Sequence, residues 1–187
     1  MRVLRLSLAV AALLAGGPAI EAAAAPAAPI ETGTGPVTKL PLPRYASLKT
    51  DRVNLREGPS KDHRTLWVFQ RAGLPVEIVG EFETWRRIRD SEGTEGWVLH
   101  SLLSGRRTAI VNADPDKGVE KAAVSLRAKA EDGAADEAKL QTGVIGSVKS
   151  CTGTWCRLIV ALPNKRDVDG YIRQNRLWGV YPNEVVD

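Results

Sequence analysis

Two cysteines and two histidines have the strongest claim on catalysis or metal binding in this chain, and their spacing argues against both. Cys151 and Cys156 flank Thr152-Gly153-Thr154-Trp155, a turn length at which the ends of a hairpin can meet; a redox pair is usually Cys-x-x-Cys beside a helix. A disulfide is the favoured reading, with free thiols or a nucleophilic cysteine as the alternatives. His63 sits in the polar turn Ser60-Lys61-Asp62-His63-Arg64, and His100 lies 37 residues further on. Neither has a His, Cys or Glu at ligand spacing, so no metal and no cofactor is expected. There is no Gly-x-Ser-x-Gly elbow, no phosphate-binding glycine loop and no paired-carboxylate motif, and the chain reads as non-enzymatic.

Binding chemistry is better represented. Tyr45, Trp67, Trp178 and Tyr181 are not required by the hydrophobic alternation and are candidates for an aromatic groove that holds a peptide or sugar. For Trp178 the competing role is packing between domains. Trp85, Trp97, Trp155 and Tyr171 recur at matched positions and are read first as barrel packing. Arg86, Arg87, Arg89, Arg106 and Arg107 suit a basic face for carboxylates or phosphates, or equally a solvated strand face balanced by Glu81, Glu83 and Glu92. With Arg56, the candidate ligand-binding set is Tyr45, Arg56, Trp67, Arg86, Arg87, Trp178 and Tyr181.

These residues need a scaffold, and the 187-residue length allows one ordinary domain or two small ones. Hydrophobic residues at 43% and charged residues at 26% fit a folded chain, and a net charge of +4 is too small for a nucleic-acid signature. At the N-terminus Arg2 and Arg5 precede an apolar run over 6–14, followed by Gly16, Gly17, Pro18 and small residues at 22–25. This pattern reads as a signal peptide over 1–24, with an uncleaved anchor as the alternative, and predicts a periplasmic or secreted protein with no membrane span in its mature form. Prolines at 26, 29, 36, 41 and 43 predict a disordered tether over 25–43.

The remainder contains an internal repeat. Val53-Asn54-Leu55-Arg56 is echoed by Val124-Ser125-Leu126-Arg127, Thr84-Trp85 by Thr154-Trp155, and Gly96-Trp97-Val98 by Gly170-Tyr171-Ile172, at offsets of 71, 70 and 74 residues. Short period-two runs between Gly, Pro, Asn and Asp clusters predict an all-β fold of two small barrels, 44–113 and 117–187, joined at 112–117. Only 131–140 has a helical composition, weakened by Gly133.

Val53-Asn54-Leu55-Arg56-Glu57-Gly58-Pro59, Gly73-Leu74-Pro75-Val76, Trp85-Arg86-Arg87-Ile88-Arg89-Asp90 and Gly93-Thr94-Glu95-Gly96-Trp97-Val98 resemble the bacterial SH3 (SH3b) domain, in its SH3_4 branch. The second half is similar but divergent, with Arg127-Ala128-Lys129 in place of the Arg-x-Gly-Pro turn. The resemblance implies tandem SH3-like barrels in a secreted or periplasmic protein that binds cell-wall peptides such as those of peptidoglycan, or other envelope partners. A protein-interaction adaptor that recruits an envelope partner by strand addition is the alternative function.

Overall fold

The computed structural model describes residues 32–112, 123–162 and 166–187. The signal peptide read over 1–24, the tether as far as residue 31 and most of the expected domain join lie outside them. A short hairpin, β1 (Gly33–Thr34) and β2 (Pro41–Leu42), leads into the first barrel. That barrel contains β3 (Arg44–Leu48), β4 (Val53–Arg56), β5 (Thr65–Phe69), β6 (Pro75–Phe82), β7 (Trp85–Arg89) and β8 (Glu95–Leu99). A 3-10 turn (His100–Leu102) and β9 (Leu103–Ser104) complete it. The second barrel contains β10 (Thr108–Val111), β11 (Ala123–Arg127), β12 (Asp136–Gln141), β13 (Ile145–Thr152), β14 (Trp155–Val160) and β15 (Val168–Arg173). A 3-10 turn (Gln174–Arg176), β16 (Leu177–Trp178) and β17 (Val185–Val186) follow.

The strand order β5-β4-β8-β7-β6-β3-β9 of the first sheet is repeated as β12-β11-β15-β14-β13-β10-β16 in the second. Every pairing is antiparallel, and the expected duplication is a duplication of topology. Inward residues alternate along the strands, so Val53, Leu55, Val76, Ile88 and Val98 fill one core and Val111, Leu126, Leu158 and Ile172 the other. Gly96 marks the place where β8 passes closest to β4. A Cβ there would lie 2.6 Å from Leu55 Cγ and 2.8 Å from Arg56 O, and at the matching Gly170 it would lie 2.7 Å from Arg127 O. The recurring Gly-aromatic motif therefore reflects a steric requirement of the strand crossing.

Three expectations are corrected. Thr108–Val111 pairs with β13 and β16, so the second barrel begins before residue 113; these residues occupy the place that Arg44–Leu48 holds in the first. Residues 131–140 are not helical: a turn leads into β12, whose backbone completes a hairpin with β11. The tether is ordered from residue 32, because its hairpin caps a buried carboxylate. The Val37 and Thr38 amides donate to Glu81 Oε2 at 3.0 and 2.8 Å, and the Thr38 hydroxyl donates to Oε1 at 2.5 Å.

Glu81 follows a bulge in β6 that turns it to the same face as its partner Arg86 and core Ile88 and Val98; it is only 4% exposed and also accepts from Arg44 Nη2 at 2.8 Å. Its cross-strand partner is Arg86, whose Nε stands 3.6 Å from Oε1. In the second barrel the matching cross-strand positions are Cys151 and Cys156, which form the disulfide. One buried link is ionic and the other covalent.

Burial opposes ionisation of Glu81, but the Thr38 hydrogen bonds and then those of Arg44 and Val37 outweigh it and hold the carboxyl down at about 2, against an ordinary value of 4.5. A depressed carboxyl contributes stability that is present above its unfolded value and lost as pH falls through 4.5 towards 2. We expect Glu81→Gln to cost about 3 kcal/mol at neutral pH and to flatten that acid limb. Urea unfolding between pH 2 and 7 measures both. An acid limb equally steep in the variant would show that other carboxylates set it.

Candidate functional site

Each barrel carries a groove walled by the first residue of its central hairpin's second strand. In the first barrel Trp85 pairs across to Leu99, and the groove of about 270 Å³ is lined by Arg52, Asn54, Arg56, Lys61, Trp85, Leu99 and Leu102. Trp85 is 7% exposed and is not part of the apolar core cluster, so its burial is that of a groove floor. Arg52 and Lys61 are exposed, and Arg56 donates through Nη1 to Lys61 O at 2.9 Å and His63 O at 2.7 Å. Those two bonds fix the loop and leave the guanidinium charge uncancelled, since carbonyls carry no net charge. Among the described residues no ion pair joins Arg52, Arg56 or Lys61. No acid lines the groove, and three cations share one aromatic floor.

The matching groove of the second barrel, about 210 Å³, is lined by residues that include Ser125, Arg127, Asp132, Trp155, Arg173 and Arg176. Arg173, the cross-strand partner of Trp155, lies over the indole with its guanidinium carbon 4.4 Å from the ring centroid. Its Nε donates to Asp132 Oδ1 at 3.0 Å and its Nη2 to Oδ2. These hydrogen bonds hold the Asp132 carboxyl below its usual value. Arg127 is 3.6 Å from Asp136.

Several expected ligand residues have other work. Tyr45, Trp178 and Tyr181 do come together, in the seam between the barrels. Trp178 meets Tyr45 edge-on at 5.2 Å and Tyr181 tilts against Tyr45 at 4.6 Å, while the Arg107 guanidinium stands 5.8 Å from the Tyr45 ring. Tyr181 Oη donates to Glu77 Oε1 at 3.0 Å, and Arg89 donates to Glu77 Oε2 at 3.0 and 2.6 Å, so a buried carboxylate of the first barrel is capped by the second. Burial and then Glu77 push the Tyr45 hydroxyl up to about 12 and that of Tyr181 well above its usual value, so both stay protonated. Arg107 holds Glu184 through two hydrogen bonds, 2.8 and 3.0 Å, and donates to Gly179 O at 3.0 Å. At Gly179, with φ of 114°, a Cβ would lie 2.5 Å from Thr108 O. Tyr45 and Trp178 also border a cleft of about 770 Å³ with Gln174, Asn175, Pro182 and Asn183.

The arginines do not form an open basic face. Arg86 is 4% exposed and donates to Glu83 O and Trp85 O, while Arg87 is paired with Glu95. Trp67 stands apart from the seam, 60% exposed on the edge strand β5 beside exposed Leu66. The residues that sequence reasoning missed are Arg52, Lys61, Asp132 and Arg173. Their signal was available in the repeat itself: Lys61 aligns with Asp132 at the offset of the Leu-Arg motif, and Leu99 and Arg173 stand directly before the matched 3-10 turns.

Removing the Tyr181 hydroxyl should expose how far the seam is held by one hydrogen bond. We expect Tyr181→Phe to leave Glu77 Oε1 short of a donor and to cost about 1–3 kcal/mol in urea unfolding. Unchanged stability would show that solvent replaces the hydroxyl without loss.

No curated protein matches the chain. Among solved structures it is similar to NlpC2 and NlpC1 from Trichomonas vaginalis, at 13% and 14% identity with TM-scores of 0.31 and 0.32; these alignments cover 73% and 77% of this chain and 48% of each of those. It is also similar to an NlpC/P60 family protein from Bacillus cereus ATCC 10987, at 12% identity and a TM-score of 0.30, covering 72% of this chain and 55% of that one. The chain thus spans about half the length of these proteins. The family described as bacterial SH3 domain matches twice, over residues 49–105 and 120–179, which together are more than half of the chain. With two matched copies on two barrels of identical strand order, the chain belongs to the bacterial SH3 domain family.

Proposed function

We propose that this protein is a non-enzymatic binding module of the cell envelope whose first barrel holds a carboxylate-bearing cell-wall peptide. The observation that carries the reading is the first groove: Arg52, Arg56 and Lys61 converge on the Trp85 floor with no acid among the lining residues. A carboxylate there gains charge-assisted hydrogen bonds, while the apolar part of a peptide packs on the indole, Leu99 and Leu102. The Cys151–Cys156 disulfide supports an oxidising compartment, in keeping with the leader read in the sequence and a periplasmic or secreted location.

The adaptor reading has an observation of its own. Leu66 and Trp67 are exposed on β5, a sheet edge able to accept an added strand. The matching edge strand of the second barrel carries exposed Glu137 and Lys139, charges that discourage such pairing.

Retention of the full chain on purified insoluble peptidoglycan separates the two. We expect retention at low salt that falls at moderate salt and drops about tenfold or more in Arg52→Glu/Lys61→Glu, whose altered side chains are exposed. Retention indifferent to salt and to the double substitution would refute the groove. Loss in Trp67→Lys alone would move the assignment to the β5 edge.

A further inference from the structure

The two grooves share a frame and differ in the residues that decide what can enter. Opposite Trp85 stands Leu99, and opposite Trp155 stands Arg173. Where the first loop places Lys61, the second places Asp132. Across from Arg56 is Thr65, and across from Arg127 is Asp136. At these three positions an apolar wall, a cation and a neutral residue in one barrel have become a cation and two acids in the other, and Leu102 of the first lining is matched by Arg176 in the second. The cation lies on the indole within cation–π range and is held there by two hydrogen bonds to Asp132.

We infer that the second groove is occupied from within by Arg173, and that the chain has a single acidic-ligand site of this kind, on the first barrel. This inference rests on the reading of the first groove as an anion site. Two properties exclude a second acidic ligand. Arg173 is tethered one strand away from Trp155, so its local concentration far exceeds that of a weakly bound free ligand. A carboxylate that did displace it would meet Asp132 and, beside Arg127, Asp136. Duplication therefore does not give avidity through two equivalent grooves; the second barrel acts through the seam that holds the first.

The test uses the full chain, labelled with nitrogen-15, and follows the indole N–H signals of Trp85 and Trp155 during titration with tetraglutamate. In the unaltered chain Trp85 should shift with one peptide bound per chain while Trp155 stays still. In Asp132→Lys/Arg173→Leu, which installs the first groove's residues at these two positions of the second, Trp155 should shift as well and the stoichiometry should rise from one to two. A Trp155 shift in the unaltered chain at the same midpoint as Trp85, or a silent Trp155 in the folded double variant when Trp85 responds, would overturn the inference. A second arm needs no ligand: a neutral nitroxide should broaden the Trp155 indole signal more in Arg173→Leu than in the unaltered chain. Equal broadening would also overturn self-occupancy, whereas failure of Trp85 to respond to tetraglutamate would refute the first groove's anion reading instead.

Discussion

The burial of two carboxylates on one strand constrains most of this structure. β6 is covered on both sides: Val76 and Ile78 fill the barrel core, Glu81 lies beyond a bulge on that same face beside Arg86, and Glu77 lies on the opposite face, each carboxylate residue 4% exposed. A buried carboxylate is tolerated only with compensating donors, and here the barrel's own Arg44, Arg86 and Arg89 are joined by donors from outside it. The 33–42 hairpin brings the donors for Glu81, and the second barrel brings Tyr181 to Glu77. The first barrel is thus completed by segments on either side of it. The second barrel has no such dependence at the matching pair, where Cys151 and Cys156 are joined directly.

That constraint fixes the seam, and the seam accounts for the aromatics. Tyr45, Trp178 and Tyr181 pack at the junction, where Arg107 bridges from the connecting segment to Glu184. Those rings and cations are engaged at the junction, whereas Arg52 and Lys61 of the first groove are exposed and line it together with Arg56. The divergence of the two copies follows the same logic. On the proposed reading one barrel carries the ligand groove, and the other, with Arg173 laid over Trp155, serves as the support.

Much of this was legible in the sequence, because the repeat rests on strong local requirements. Gly96 and Gly170 are imposed by backbone approach, and the cysteine spacing matched a hairpin end. What was not legible depended on long-range partners. Nothing in Thr108-Ala109-Ile110-Val111 distinguishes a last strand of one barrel from a first strand of the next, and only its pairing with β13 does so. The proline-rich 32–43 segment looked like a tether because its order comes from Glu81, more than forty positions away in the chain. Arg86 and Arg87 looked like surface charge for the same reason, since their acids, Glu81 and Glu95, lie across strands. At 131–140 composition favoured a helix, and the tertiary need for a partner to β11 prevailed.

The proposed function rests on charge at the first groove selecting the ligand. It is tested most directly by calorimetric titration of the full chain with two soluble cell-wall stem peptides that differ only in having their carboxylates free or amidated. Amidation should weaken binding by about tenfold or more, the loss expected when charge-assisted hydrogen bonds become neutral ones. Equal affinity for the two peptides would contradict it.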